Sequence, residues 1–193
     1  MKKIKKNLLY KKKLNLLKIS KKIVIENGWN ENIFNKIIEN TSYSFNELNT
    51  LFPSGYKDLL IFSLDDLNFQ LEEFFKKSNL SRLPIHKRIR KIFITKIHLM
   101  YKSKKFYKKN FFFLLFPHNN KILIKQLYKS VDLIWKIAGD DSTDFNYYTK
   151  RIILSGIYSR VILNFFNKDD LIKTEEILDI NLNYVLKIPK LKK

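Results

Sequence analysis

Apolar residues recur at intervals of three and four along almost the whole of this 193-residue chain, and only four glycines and four prolines interrupt them. Such spacing predicts α-helices, because it places apolar side chains on one face of a helix with 3.6 residues per turn. No segment shows the alternating pattern of a β-strand. Helices are predicted over residues 10–27, 31–39, 44–51, 56–77, 84–101, a segment around 111–116, 121–138, 143–166 and 170–186.

Glycines and prolines mark the ends of several predicted helices. Gly28 and Gly139 each follow a helix directly, at the position where a left-handed residue often ends one. Pro117 stops the helix that holds the apolar run at 111–116, because the residue before a proline avoids the helical region. The sequence predicts an all-α fold of three short N-terminal helices followed by an antiparallel bundle. Its two parts are expected to be residues 1–55 and 56–193.

Charge in this chain is both large and unevenly distributed. There are 38 basic and 18 acidic residues, a net charge of +20, and ten lysines precede the first acid, Glu26. No Asp or Glu lies between Glu73 and Asp132, although sixteen Lys or Arg do. The excess of Lys, Ile, Asn and Phe resembles codon bias, which explains the total charge better than its segregation. The other interpretations are a nucleic-acid partner or an anionic membrane surface.

Several kinds of chemistry are disfavoured by what the sequence lacks. It has no cysteine, so disulfides and thiolate metal sites are excluded. Its three histidines are far apart and no glycine-rich phosphate loop occurs. We therefore predict no catalytic residue, no metal and no cofactor, and do not expect an enzyme. No apolar run approaches the roughly 18–20 residues of a membrane span, and no signal peptide or clear transit peptide is predicted.

The segment AGDDSTDFNYYTKR, residues 138–151, brings together acids, hydroxyl groups, aromatic rings and two cations. Asp140, Asp141 and Asp144 stand at the start of a predicted helix, where the helix dipole favours carboxylates. We interpret these acids as capping and surface-recognition residues. An acid/base pair or a set of cation ligands is the alternative.

The predicted helix over 143–166 carries two apolar stripes. The first contains Tyr147, Leu154, Tyr158, Val161 and Phe165 with Arg151 in the same sector, and the second contains Phe145, Tyr148, Ile152, Ser155, Gly156, Ile162 and Phe166. We expect the middle and end of this helix to be core. Its start is expected to be a docking surface, because aromatic and Arg residues beside small polar groups are typical of interface hot spots. Gly156 either permits close helix approach or leaves room for a ligand tail.

The front of the chain resembles the DNA-binding end of TetR-type regulators. Its predicted helices are followed by LFPSGYKDLL, residues 51–60, which is similar to the turn between the recognition helix and the connecting helix of that family. A DNA reader takes much of its affinity from cations placed against phosphates. Residues 41–54 contain no Lys or Arg and do contain Glu47. A TetR-type transcriptional regulator is therefore the alternative function, and DNA is not the expected partner.

Residues 117–151, PHNNKILIKQLYKSVDLIWKIAGDDSTDFNYYTKR, closely resemble the coenzyme Q (ubiquinone) biosynthesis accessory family, the ninth of the Coq proteins. The shared pattern is a Leu-Tyr, Val-Asp and Trp segment, then Ala-Gly-Asp, Ser-Thr-Asp-Phe-Asn, an aromatic pair and a Thr with two cations. Tyr147 stands where the family usually has Trp. Gly28-Trp29 and the LFPSG turn also fit the family, so the resemblance spans most of the chain.

This resemblance implies a TetR-like fold with an apolar interior cavity and a non-enzymatic function. It implies binding of an isoprenoid lipid or ubiquinone intermediate, and presentation of that lipid to the di-iron demethoxyubiquinone hydroxylase. The family's partner-facing patch maps to Asp132, Ile134, Asp144, Tyr147, Tyr148 and Arg151. The sequence leaves open whether the chain forms a homodimer.

Two further expectations concern lipid and membrane contact. From apolar periodicity, the cavity is expected to be lined by Phe112, Leu127, Trp135, Ile152, Tyr158 and Ile162. The helix at 84–101 has Ile85, Ile89, Ile92, Phe93 and Met100 on one side, and with the basic tail at 187–193 it is expected to sit on anionic lipid headgroups. An ordinary core-facing helix is the alternative. The expected location is peripheral on the cytoplasmic side of a membrane, and mitochondrial in a eukaryote.

Overall fold

The computed structural model describes residues 2–143, 145–168 and 170–186, with side chains described for 8–143, 145–168 and 170–184. Every regular element within these ranges is helical, which confirms the all-α prediction. The elements are α1 (Lys2–Asn27), α2 (Ile33–Glu39), α3 (Phe45–Leu51), α4 (Tyr56–Phe75), α5 (Ile85–Tyr101), α6 (Lys104–Leu114), a 3₁₀ turn (Pro117–Asn119), α7 (Asn120–Ala138), α8 (Phe145–Asn167) and α9 (Leu171–Leu186). The TetR-like arrangement stays a prediction.

Local signals account for several of the helix ends. Gly28 follows α1 with φ +71° and Gly139 follows α7 with φ +84°, a backbone conformation that L side chains rarely adopt. Ser44 and Glu47 form a reciprocal capping box at the start of α3. The helix α1 spans 26 residues, so the first of the three predicted N-terminal helices is long rather than short.

The chain divides into two compact units. The first comprises Met1–Asp66 and Ser103–Leu123. Within it α1 packs against α2 and α6, and α2 packs against α3. A polar connection joins Trp29, whose Nε1 donates to Asn110 Oδ1 at 2.8 Å, to Ser63, whose Oγ accepts from Asn110 Nδ2 at 2.9 Å. The core of this unit includes Leu16, Val24, Ile33, Ile37, Leu48, Phe52, Leu59, Leu60 and Phe106.

The second unit comprises Leu67–Lys102 and Ile124–Lys193. Here α9 packs against both α8 and α5. Its buried side chains include Leu71, Ile92, Phe93, Ile97, Val131, Ile134, Leu154, Val161, Phe165 and Leu178. The division differs from the predicted boundary at residue 55, because α6 packs on α1 and so residues 103–123 join the N-terminal helices.

The helix α5 does not present the apolar face that was expected to meet a membrane. Ile89, Ile92, Phe93 and Met100 are all buried, because this face packs into the second unit, whereas Ile85 at the start of the helix is exposed. The alternative of a core-facing helix is therefore correct. The basic tail at 187–193 lies outside the described residues. Among the residues that the structure describes, no helix has the length and hydrophobicity needed to cross a membrane.

Candidate functional site

Arg151 lies in the second turn of α8 and is only 4% exposed. Its Nε donates to Asp132 Oδ1 at 2.8 Å, and its Nη1 donates to Asp140 Oδ2 at 3.1 Å. Its guanidinium carbon lies 3.4 Å from the centre of the Tyr147 ring. Two carboxylates and an aromatic face thus offset the cost of burying a permanent charge.

Asp132, on α7, accepts from two cations and a hydroxyl group. Besides Arg151, Lys136 Nζ lies 2.8 Å from Asp132 Oδ2, and the Tyr147 hydroxyl donates to Oδ1 at 3.2 Å. Burial raises the pKa of Asp132, but the hydrogen bonds from Lys136 and Arg151 outweigh it and leave the pKa below its usual value. Asp132 is therefore ionised at neutral pH.

Asp140 follows the end of α7 and its carboxylate is almost wholly buried. Lys150 Nζ donates to Oδ1 at 2.8 Å and the Ser142 hydroxyl donates to the same oxygen at 2.6 Å. Burial raises the pKa of this carboxyl, but hydrogen bonds from Lys150, Ser142 and Arg151 lower it overall. The side chain that was expected to cap a helix at the surface is instead an internal partner of α8. We call Asp132, Lys136, Asp140, Tyr147, Lys150 and Arg151 the ion network.

Aromatic side chains extend the ion network. The Tyr128 and Tyr147 hydroxyls are 2.7 Å apart, and this hydrogen bond, with some burial, raises the pKa of Tyr147 to about 12. Trp135 Nε1 donates to the Lys150 carbonyl at 3.2 Å, and Lys150 Nζ lies 5.6 Å from the Trp135 ring centre. These contacts fix the start of α8 against α7.

The ion network is poorly suited to proton transfer. Its two carboxylates have lowered pKa values and their oxygens are occupied by cations and hydroxyl groups. A general acid or base needs a pKa near the working pH and a free approach to substrate. No group of three or more His, Asp or Glu side chains in the described part of the chain is arranged to hold a metal ion. The arrangement is structural.

A row of exposed apolar side chains lies on α8 next to this network. Phe145, Tyr148 and Ile152 are 81%, 63% and 71% exposed, and their spacing of three and four residues places them on one face. We call these three residues the apolar strip. The same face continues through Gly156 to Leu163, which is also exposed. Adjacent large apolar side chains exposed to solvent are typical of interaction sites.

The predicted partner patch is only partly a surface. Tyr148 is exposed and Tyr147 is half-buried, but Ile134 is fully buried and Arg151 is buried in the ion network. Ile134 and Arg151 therefore present almost no side-chain surface to a partner in this structure. The resemblance gave their positions in the sequence but not the side chains that cover them. The carboxylate of Asp132 is mostly turned to the network, and Asp144 lies outside the described residues.

The six residues predicted to line a cavity do not share one environment. Phe112 belongs to the first unit and the other five belong to the second. Ile152 points to solvent, whereas Trp135 and Ile162 are buried and Leu127 and Tyr158 are half-buried. Ile152 is therefore better placed in the apolar strip than in an interior lining. Gly156 is exposed with open space around it, so it does not serve close helix packing.

The sequence analysis did not predict several residues of the site. Lys136 and Tyr128 lie four residues either side of Asp132, a helical spacing that offered a usable signal. Lys150 is one of the two cations of the 138–151 segment, but the sequence did not indicate which acid it pairs with. Phe145 was placed in an apolar stripe, yet its exposure follows only from how α8 packs.

Comparisons with known proteins identify relatives of this part of the chain. Residues 121–188 match the model of the COQ9 family. Ubiquinone biosynthesis protein COQ9, mitochondrial, of Bos taurus is 49% identical over 49 residues, 25% of this chain and 15% of that protein. The Homo sapiens protein is 48% identical over 46 residues, 24% of this chain and 14% of that protein. COQ9-A of Xenopus laevis is 28% identical over 116 residues, 56% of this chain and 37% of that protein. The chain thus matches well under half the length of these relatives.

Proposed function

This chain is a relative of the COQ9 family through residues 121–188, and on that premise we propose that it is a non-enzymatic accessory protein of ubiquinone biosynthesis. It binds polyprenyl quinone intermediates and presents them to the di-iron demethoxyubiquinone hydroxylase at a membrane. It works as a peripheral protein, and in mitochondria if the source is a eukaryote, because the relatives that it matches are mitochondrial proteins.

The apolar strip is the observation that carries the docking part of this proposal. Phe145, Tyr148 and Ile152 together expose large apolar surface on one face of α8, inside the segment shared with the family. The ion network fixes the start of that helix, so little side-chain and backbone ordering remains to be lost on association. Rigid aromatic anchors of this kind dominate the energy of protein interfaces.

The lipid-binding part of the proposal is supported by the family relationship and by the free-energy cost of exposing a polyprenyl tail to water. A polyprenyl tail in water costs about 0.8 kcal/mol for each exposed CH₂ group, so moving it to an enzyme requires apolar shelter. Leu127, Trp135, Tyr158 and Ile162, all in the second unit and all at least half-buried, remain the candidates to contact the tail.

Docking is tested by capturing the purified hydroxylase on immobilised protein. Ile152→Asp should weaken capture about tenfold or more, because it places a charge in the centre of the apolar strip. The matched control is Ile172→Asp on α9, since Ile172 is 74% exposed but lies off the strip. Equal capture by both variants, or equal loss in both, would show that the strip is not the docking site.

Lipid binding is tested by mass spectrometry of the native protein after mild purification. We expect isoprenoid quinones or their precursors in a fixed ratio to protein.

The non-enzymatic assignment is tested separately, by incubating the protein with demethoxyubiquinone in the absence of the hydroxylase. Conversion of the quinone by the protein alone would overturn it.

A further inference from the structure

The exposed face of α6 changes character along its length. Lys105, Lys108 and Lys109 occupy its first half, and Phe112 follows them at the spacing of one helix face. Leu115 and Phe116 continue this face just beyond the helix, and Phe116 is 55% exposed. A basic surface therefore leads directly into an apolar one, within the first unit.

An open apolar groove of about 460 Å³ lies at the end of this face. Its lining includes Trp29, Phe112, Phe113, Leu115 and Phe116, and Lys109 stands among these apolar side chains. The groove is therefore able to hold hydrocarbon while an ammonium group remains beside it.

The segment that carries this surface has charges of one sign. Residues 103–123 contain five lysines and no Asp or Glu. Lys105, Lys108, Lys109 and Lys121 are exposed, and Lys108 Nζ lies 5.9 Å from the Phe112 ring centre. A cation held beside an aromatic ring suits the boundary between lipid phosphates and acyl chains, where aromatic side chains and lysines meet.

We infer that this face, formed by Lys105, Lys108, Lys109, Phe112, Leu115 and Phe116, is a docking surface for an anionic phospholipid bilayer. The lysines contact lipid phosphates, and the aromatic end with its groove enters the upper acyl region. Each cation near such a surface adds to the attraction for anionic lipid, and the apolar side chains add burial that nucleic acid does not offer. The inference deepens the proposed function and rests on it, since a carrier of isoprenoid lipids must meet a membrane.

The electrostatic part is tested by co-sedimentation of the full chain with vesicles. One set contains phosphatidylcholine alone and the other also contains phosphatidylglycerol. The wild type should bind the anionic set, and the triple variant K105E/K108E/K109E should lose about tenfold or more of that affinity. The control K11E/K18E/K22E makes the same change of charge at three exposed lysines of α1. An equal loss in this control, or no binding by the wild type, would overturn the inference.

The apolar part is tested by fluorescence. The chain has two tryptophans, Trp29 and Trp135, so Trp135→Phe leaves Trp29 in the groove as the only reporter. Lipids brominated on the acyl chain should quench Trp29, and the added change F112S/F116S should remove the quenching. Quenching that persists would disprove insertion of this end of the face.

Two further outcomes distinguish this inference from nucleic-acid binding and from the proposed function. A short RNA duplex is added to the protein bound to vesicles. If the duplex displaces the protein, and if the variant K105E/K108E/K109E no longer binds the duplex, the face binds nucleic acid and the inference is overturned. The vesicles contain no isoprenoid and no hydroxylase. Failure to bind them, with hydroxylase capture intact, would therefore reject this membrane surface and leave the proposed function in place.

Discussion

Arg151 shows at the scale of one residue how a charge is kept inside this protein. It contacts Asp132 and Asp140, and the Tyr147 ring covers its guanidinium group. Removing one partner of a buried ion pair leaves the other charges uncompensated, which costs more than the pair contributes. Its importance therefore lies in folding, and a variant of Arg151 is a poor probe of docking.

Replacing Arg151 by Met should lower the free energy of unfolding by about 3–5 kcal/mol. The measurement is chemical denaturation of both proteins at neutral pH. Arg160→Met on the same helix is the control, because Arg160 is exposed and its Nη1 donates to the uncharged Asn181 at 3.2 Å. It should change stability by less than about 0.5 kcal/mol. Similar changes in the two variants would contradict the structural role of the ion network.

The ion network also predicts how stability depends on pH. Asp132 and Asp140 have folded-state pKa values below their usual 3.8, because cationic hydrogen-bond donors outweigh their burial. Their stabilisation is therefore complete above about pH 4 and is lost as pH falls through the lowered values. In Arg151→Met this acid dependence should be shallower, which denaturation in a series of buffers from about pH 5 down to about pH 2 would reveal.

Lys96 is a second buried cation, and it has no carboxylate within ion-pair distance among the described residues. Its Nζ donates to Asn68 Oδ1 at 2.7 Å and lies 5.2 Å from the Tyr158 ring centre. Burial lowers the pKa of Lys96 to about 7 and raises that of Tyr158 to about 12. Between about pH 7 and the ordinary lysine pKa of 10.5, the folded protein holds Lys96 mainly neutral, whereas the unfolded chain keeps it protonated.

Lys96→Met should therefore stabilise the protein, and the gain should depend on pH. Below about pH 7 both states of the wild type are protonated and the burial cost, on the order of a few kcal/mol, is complete. The cost falls as pH rises towards 10.5, so the difference between variant and wild type should shrink. Denaturation at pH 6 and pH 9 would measure this. A gain that is constant with pH, or equal in the exposed control Lys91→Met, would contradict it.

At the scale of helices, two glycines have opposite roles. Gly139 ends α7 at φ +84°, and a Cβ there would lie 3.2 Å from Arg88 Nη1. Arg88 is itself fixed by donating to the Ala138 carbonyl at 2.9 Å. Gly156 lies in the interior of α8 with ordinary helical φ and open space around it.

Gly139→Ala should destabilise the protein by about 1 kcal/mol or more, because a left-handed backbone penalises any Cβ. Gly156→Ala should instead stabilise it by about 0.5–1 kcal/mol through helix propensity. Thermal unfolding of the two variants against the wild type compares the same chemical change in two backbone environments. If both variants shift the unfolding temperature in the same direction, one of the two backbone environments is described wrongly.

The helices themselves could be predicted because their signals are local. Gly28, Pro117 and Gly139 fix ends within one or two residues, and the Ser44–Glu47 capping box fixes the start of α3. Which face of a helix is covered depends on partners far along the chain. The apolar side of α5 was expected at a membrane yet packs in the core, because periodicity reports amphipathicity and not the identity of the apolar neighbour.

The site was harder to predict for the same reason. Arg151 was recognised as special, but its burial depends on Asp132 and Asp140, which are 19 and 11 residues away. Tyr148 and Ile152 were placed on one stripe correctly, and only packing shows that the first turns of that stripe are exposed while Ile162 is buried. Sequence periodicity thus predicted which side chains share a face of each helix. Long-range contacts determine which of these faces is exposed to solvent.

At the scale of the whole molecule, the net charge of +20 raises the question of DNA binding. The would-be recognition helix α3 is exposed along Phe45, Asn46, Glu47, Asn49 and Thr50, none of which is basic. Glu47 is committed to the capping box and lies 3.7 Å from Lys12 Nζ. The exposed side chains of α3 therefore include no cation to contact phosphates or guanine.

Binding to DNA should accordingly be weak and independent of sequence. In gel shifts at physiological salt, a fragment from upstream of ubiquinone biosynthesis genes and a shuffled fragment of equal composition should bind alike. Residual binding should fall steeply with salt, because it arises from counterion release by dispersed lysines. Specific regulators discriminate by about 10³-fold or more. A difference of that order between the two fragments, abolished by changing Asn46 and Asn49 to Ala, would favour a TetR-type regulator. These two side chains are chosen because they are exposed on α3 and are able to contact bases.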